Sequence, residues 1–205
     1  MDPQELVATR TSLHGVAELL IAGPQYRAHG TIRLRVTDGG FGGVVLPVRV
    51  AGGELVTDGG RVPLTGTCRE LAASTGIDIG RPEGVYSDTS ALEADSPLAV
   101  DPAAAETICD WFVVGDTGLR AFAPGSEPVL WPEHFDLGVS LEEVNYGISP
   151  GDAGHPGPYA YVGPWEPREG EFWNVSFGAL RAVEELPDAE AITAFFAAGR
   201  DAARR

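Results

Sequence analysis

Apolar residues near the start of the chain fall at helical spacing. Leu13, Val16, Ala17, Leu20 and Ile21 make one stripe. Asp2 before Pro3, with Glu5 placed to reach back, predicts the helix start. Gly23-Pro24 predicts its stop. The period then changes to two. Over Thr31 to Thr37, Ile32, Leu34 and Val36 alternate with Arg33 and Arg35. Val44 to Val50, Glu54 to Thr57 and Arg61 to Leu64 read as three more strands, separated by glycine-rich turns. Turns this short join antiparallel neighbours, because a parallel pair needs a long crossover. Thr67 and Glu70 have the spacing of a capping box and predict a short helix.

Residues 81–101 lack periodicity and are rich in Gly, Pro, Ser and Asp, the pattern of a linker or a long loop. Asp101-Pro102 opens another helix, with Ile108, Trp111, Phe112, Leu119 and Phe122 as its apolar face and Pro124-Gly125 as its end. Strand character returns where Phe135, Leu137, Val139 and Leu141 alternate with His134, Asp136, Gly138 and Ser140. Ser149-Pro150-Gly151-Asp152 reads as a type II turn, and Tyr159 to Val162 as a further strand. Asp188 caps a last helix carrying Ile192, Phe195, Phe196 and Gly199. The class expected is α+β: antiparallel sheet with flanking helices, as one compact domain or as two similar fused helix-plus-sheet lobes. The divisions drawn are a helix-plus-meander lobe over 1–80, a linker or loop over 81–101, and a helix-sheet-helix lobe over 102–205. Two similar lobes are suggested by a shift of 105 positions, which lays His29 on His134 and Phe41-Gly42 on Tyr146-Gly147.

Chemistry concentrates in residues 131–177, which hold three of the four tryptophans and three of the five tyrosines. If Leu137 and Val139 face the core, strand parity sends His134 and Asp136 to the other face. Tyr159 and Tyr161 share a face of their own strand. The ligand-facing candidates are Trp131, Glu133, Asn145, Tyr146, Tyr159, Tyr161 and Trp165. Several readings stand side by side. His134 is a general base oriented by Asp136 or Glu133; or His134, Asp136, Asp152 and His155 ligate a metal; or the segment binds a small polar or aromatic molecule without chemistry. Simple packing, with His134 on a backbone carbonyl, is the alternative to all three. An aromatic segment of this kind also suits a homodimer interface. Small-molecule binding leads. Elsewhere, Cys68 beside Arg69 at a helix start has the setting of a lowered thiol. Cys109 reads as packing, His14 and Glu18 as a solvated i,i+4 pair, and Arg33 and Arg35 as exposed unless they meet an anion.

The peptides Trp131-Pro132-Glu133-His134-Phe135-Asp136 and Ser149-Pro150-Gly151-Asp152 resemble those of a bacterial, chiefly actinobacterial, protein family that carries such a block followed by such a turn. The resemblance covers about the last 80 residues well and the first half more vaguely. It implies a shared fold and a shared site, with no activity attached.

Composition narrows the classes. Thirty acids face fourteen bases, a formal charge of −16, and every base is arginine. Such a field repels nucleic acid and acidic lipid. Without lysine there is no Schiff-base or phosphate-loop lysine. No dinucleotide fingerprint, GxSxG or HExxH occurs, so the cofactor stays unknown. The start lacks a signal-peptide pattern and no apolar run reaches the ~20 residues of a membrane span, which makes the cytoplasm the expected location.

Overall fold

The structure, a computed structural model, describes residues 2–87 and 89–205. The fold is α+β, with ten strands among the described residues, antiparallel neighbours and flanking helices. The chain divides into two compact units, residues 1–113 with 130–135 and residues 114–129 with 136–205. Among the described residues no helix is long and apolar enough to cross a membrane.

Unit 1 begins with α1 (Pro3–Val16), capped by Asp2, whose carboxylate accepts the Gln4 amide at 2.8 Å. Gly23-Pro24 does not end this helix. A π-helical stretch, Ala17–Ala22, carries the chain into α2 (Gly23–His29), which closes on the left-handed Gly30. Pro24 has no amide to donate and its ring would strike the preceding turn of a regular helix. The wider turn accommodates both problems: the Gly23 amide reaches back to Glu18 O, and the Gly80 amide occupies the Leu19 carbonyl at 3.0 Å.

A meander follows: β1 (Leu34–Thr37), β2 (Gly40–Gly43), β3 (Arg49–Ala51), β4 (Glu54–Thr57) and β5 (Gly60–Pro63). Of the strand expected over Val44 to Val50 only the end is strand, in β3; β2 forms earlier in the chain, and residues 44–47 bend between the two. Buried Gln25 holds that bend, its side-chain oxygen accepting the Val45 amide at 2.9 Å and the Leu46 amide at 3.2 Å. Helix α3 (Cys68–Thr75) has the expected capping box, with Thr67 and Glu70 each satisfying the other's backbone. The aperiodic stretch up to residue 101 folds onto α1. Ala99 and Asp101 donate their amides to the buried hydroxyls of Ser12 and Thr9, each at 2.9 Å. The core of unit 1 centres on Phe41, Phe112 and Phe135, whose rings meet edge-on at 5.2–6.1 Å.

Helix α4 (Pro102–Phe122) passes from unit 1 into unit 2, and β6 (Val129–Trp131) returns to unit 1. Unit 2 is built on β7 (Asp136–Leu141), β8 (Val144–Ser149), β9 (Tyr159–Pro164) and β10 (Ala179–Ala182), each antiparallel to the next. Helix α5 (Ala189–Ala203) starts where Asp188 caps it and buries Ile192, Phe195, Phe196 and Gly199, as its spacing predicts. Gly115 and Gly118 sit inside α4, where glycine costs about 1 kcal/mol relative to alanine. Closeness explains them. A methyl at Gly115 would stand 2.5 Å from Ile148, and one at Gly118 2.8 Å from Ile192.

The 105-residue shift lays β1 and β2 on β7 and β8, but the hairpin registers differ. Phe41 faces Val36 in one, whereas Tyr146 faces Val139 in the other, two residues from the Leu141 that the shift would place there.

Phe112 is fully buried among aromatic rings. Replacing it by alanine is expected to cost about 3–5 kcal/mol, read as a lower urea midpoint with an unchanged slope.

Candidate functional site in unit 2

Alternation along β7, β8 and β9 sorts side chains onto two faces. Leu137, Val139, Val144, Tyr146, Ile148, Ala160 and Val162 are buried, and helices α4 and α5 supply Phe122 and Phe196 against Tyr146, at centroid distances of 4.6 and 6.0 Å. The other face carries Asp136, Gly138 and Ser140 on β7, Asn145, Gly147 and Ser149 on β8, and Tyr159, Tyr161 and Gly163 on β9.

On that face Gly138, Gly147 and Tyr161 lie in one row across the strands. The Tyr161 ring lies over the glycines. A methyl at Gly147 would stand 2.5 Å from its hydroxyl oxygen. The hydroxyl donates to Asp136 Oδ2. Next to it, Tyr159 donates its hydroxyl to Asp152 Oδ2 at 2.5 Å, and its ring lies 6.3 Å from that of Tyr161. Asp152 also accepts the Gly154 and His155 amides at 2.6 and 2.7 Å, which folds the loop after β8 back on itself. Gly151 takes φ +104, a conformation open to glycine, and the Asp152 amide bonds the His155 carbonyl at 2.8 Å rather than closing the expected turn on Ser149. The His155 ring stands edge-on to Tyr159 at 5.6 Å and to Phe177 at 6.3 Å.

At the other end of the face, Asn145 Oδ1 accepts the Ser140 hydroxyl at 2.7 Å and the Trp165 indole N–H at 3.2 Å. Trp165 is 64% exposed and Phe177 41% exposed. A polar row thus runs from two carboxylate–phenol pairs to an exposed indole.

Burial, then the Asp136 charge, hold the Tyr161 phenol far above its ordinary value. Burial and the Asp152 bond push Tyr159 up likewise. Burial raises the Asp152 carboxyl, but the Tyr159 hydroxyl and the two loop amides outweigh it, leaving the group below its usual range. Both phenols are therefore proton donors at neutral pH, not bases or nucleophiles.

Several sequence expectations change. Asp136, Asn145, Asp152, His155, Tyr159, Tyr161 and Trp165 come together in unit 2. Tyr146, expected to face ligand, is on the core side of its strand and is 1% exposed. His134 is not on the strand, so parity does not apply to it. The Phe135 amide donates to Trp131 O at 2.8 Å, and Phe135 takes φ +52, which makes residues 132–135 a tight turn before β7. His134 lies in unit 1 with its side chain 57% exposed, and its Nε2 is 3.8 Å from Glu133. Trp131, also in unit 1, lies under the Arg33 guanidinium at 5.8 Å. Among the described residues no group of three or more His, Cys, Asp or Glu side chains could hold a metal ion. The four proposed ligands, His134, Asp136, Asp152 and His155, are therefore not assembled into one. Asp152 and His155 approach each other, Oδ1 to Nδ1 3.9 Å. Cys68 is buried, and burial drives its thiol up to about 12 despite Arg81, so the reactive reading does not hold.

Unit 1 holds a network the sequence reading missed. Glu18, expected to be solvated beside His14, is fully buried. It accepts Arg81 Nε at 3.2 Å and the Ser90 amide at 3.0 Å. His14 turns away, its Nε2 2.6 Å from Pro132 O and its ring stacked on Phe135 at 5.3 Å. The available signal was Glu18 as the single charge in the apolar run Val16 to Ala22. A charge there needs a buried partner, but that partner, Arg81, lies 63 residues away in sequence.

Family models, curated proteins and solved structures were all compared with this chain, and none matches it.

Removing Arg81 strands a buried carboxylate. Arg81→Ala is expected to lose about 3–5 kcal/mol in chemical denaturation, far more than an exposed pair such as Arg61–Glu54 would. Tyr159 and Tyr161 give a pH signature. Their folded phenols titrate above the unfolded value of about 10, so their stabilisation is complete below that pH and declines as pH rises beyond it. Alkaline titration followed at 295 nm should show their phenolate absorbance appearing together with unfolding, and Tyr161→Phe should remove part of the alkaline loss of Tm. Gly147→Ala should displace the Tyr161 ring and cost about 1–3 kcal/mol.

Proposed function

We propose that unit 2 binds a small polar or aromatic molecule on the face bearing Asp136, Asn145, Tyr159, Tyr161, His155 and Trp165. One observation carries this reading: the sheet face opposite the helices is furnished with oriented hydrogen-bonding side chains and an exposed indole, where an ordinary solvated face would carry scattered charge. The phenols are fixed by carboxylates, and Gly138 and Gly147 make room for the Tyr161 ring. Preset polar groups beside an aromatic surface suit recognition, because little side-chain entropy is lost on binding. The residues fit binding better than acid–base chemistry. Asp136 is engaged by Tyr161, and His134 stands beside Glu133 on a separate turn.

A second reading is homodimerisation through the same rim, favoured by the exposure of Trp165 and Phe177.

A thermal-shift screen of small polar and aromatic metabolites tests the first reading. A ligand that raises Tm should lose its effect in Trp165→Ala and Asn145→Ala and keep it in His134→Ala. Stabilisation that survives the first two substitutions and disappears with the third would move the site to the turn in unit 1. Light scattering tests the second reading, for which a monomer at high concentration is the failing result.

A further inference from the structure

In unit 1 the end of α2, the bend between β2 and β3, and the segment after α3 border an open cleft of about 400 Å³. That is at the small end of the range for ligand pockets. Its apolar surface comes from Pro24, Leu46, Val48 and Ile77, and Arg27 and Asp78 border the same space. Pro24 and Val48 are buried, and Leu46 and Ile77 are half-buried. The Asp78 side chain is 80% exposed. The apolar surface is thus the more enclosed part of the cleft, and the charged pair stands nearer the solvent.

The walls are fixed before anything binds. Gln25 accepts the Val45 and Leu46 amides and donates to the Thr31 and Arg33 carbonyls at 3.1 and 2.8 Å, which pins the bend to α2. Arg27 ties down the segment after α3. Its Nε donates to Asp78 Oδ2 at 2.7 Å, its Nη1 to Gly80 O at 3.3 Å and its Nη2 to Asp78 O. Two of these bonds go to backbone, so the guanidinium does not depend on the Asp78 carboxylate alone for its place. Among the described residues, three of the five guanidinium N–H groups have partners and two have none. Asp78 accepts on Oδ2, and its Oδ1 has no partner among the described residues. An exposed ion pair contributes little to stability by itself. This one sets a positive and a negative group side by side at the edge of unfilled apolar surface.

We propose that this cleft binds a free α-amino acid with an aliphatic side chain, its carboxylate on Arg27, its ammonium on Asp78 and its side chain over Leu46, Val48 and Ile77. The two charges select for it. A carboxylate suits the open N–H groups of a guanidinium, but Asp78 and the formal charge of −16 repel a ligand that is only an anion. A plain amine suits Asp78 and is repelled by Arg27. A zwitterion sets each charge against its opposite and brings no net charge. Covering the apolar surface supplies the favourable burial, and the fixed walls keep the cost of ordering low. The cleft lies in unit 1 and owes nothing to the face in unit 2.

The test uses the full chain labelled with ¹⁵N, titrated at one ionic strength with four compounds. They are L-leucine; isocaproate, which lacks the ammonium; isoamylammonium, which lacks the carboxylate; and glycine, which lacks the side chain. L-leucine is expected to shift the amide signals of Leu46, Ile77 and Asp78 in a saturating manner, and the other three to bind about tenfold more weakly or worse. Asp78→Asn removes the negative partner at an exposed position. It should weaken leucine about tenfold and strengthen isocaproate, which is then no longer repelled. Arg27→Gln should abolish the leucine response. Asp78→Asn carries the test if the Arg27 variant loosens the segment it ties. Four results would overturn the proposal: no saturating shift with leucine; glycine matching leucine, as binding outside the cleft would give; isocaproate or isoamylammonium matching leucine, as a cleft indifferent to charge would give; or an unweakened leucine response in Asp78→Asn.

Discussion

Side chains on a β-strand point alternately to opposite sides, and in unit 2 that constraint decides almost everything else. Once Leu137, Val139, Tyr146 and Ile148 are committed to α4 and α5, their neighbours Asp136, Gly138, Asn145 and Gly147 have only the other face to occupy. A shift of one residue would bury Asp136 and Asn145 and expose four large apolar side chains. The register is held by the same burial that builds the core. The polar face is thus a consequence of the apolar one, and its chemistry rests on helix packing some distance from it.

The two units satisfy their carboxylates in different ways. In unit 2 the carboxylates of Asp136 and Asp152 are turned to hydroxyl and amide donors close by in the sheet and its loop. Those bonds are short-range and orient rings. In unit 1 the Glu18 carboxylate lies on a helix and is met by a guanidinium from a distant loop. The π-helical stretch is part of the same device, since the Leu19 carbonyl beside Glu18 receives the Gly80 amide one residue before Arg81. A helix irregularity, a buried acid and a long loop are one construction: each of the three would leave a polar group unsatisfied without the others.

Much of the fold was legible from local pattern. The Thr67–Glu70 capping box, the Asp188 cap and the buried stripe of α5 form as their spacing predicts, because caps and amphipathic stripes are satisfied within a few residues. Of the site, the common face of Asp136, Tyr159 and Tyr161 was legible for the same reason, as it follows from parity on known strands. His134 was not: a left-handed Phe135, its ring packed in the aromatic core of unit 1 and its amide bonded to Trp131 O, ends the strand before reaching it. Gly23-Pro24 misled in the same way, because the partner that permits a π turn comes from residue 80.

By itself, then, the sequence determined the α+β class, the antiparallel hairpins, the helix caps and which residues share a strand face, all set by interactions among near neighbours. Only the tertiary structure decided that Tyr146 belongs to the core, that His134 and Asp136 serve different surroundings, and that Glu18 is buried against Arg81. Those outcomes depend on contacts between residues far apart in the chain, where burial and charge pairing outweigh anything a local pattern expresses.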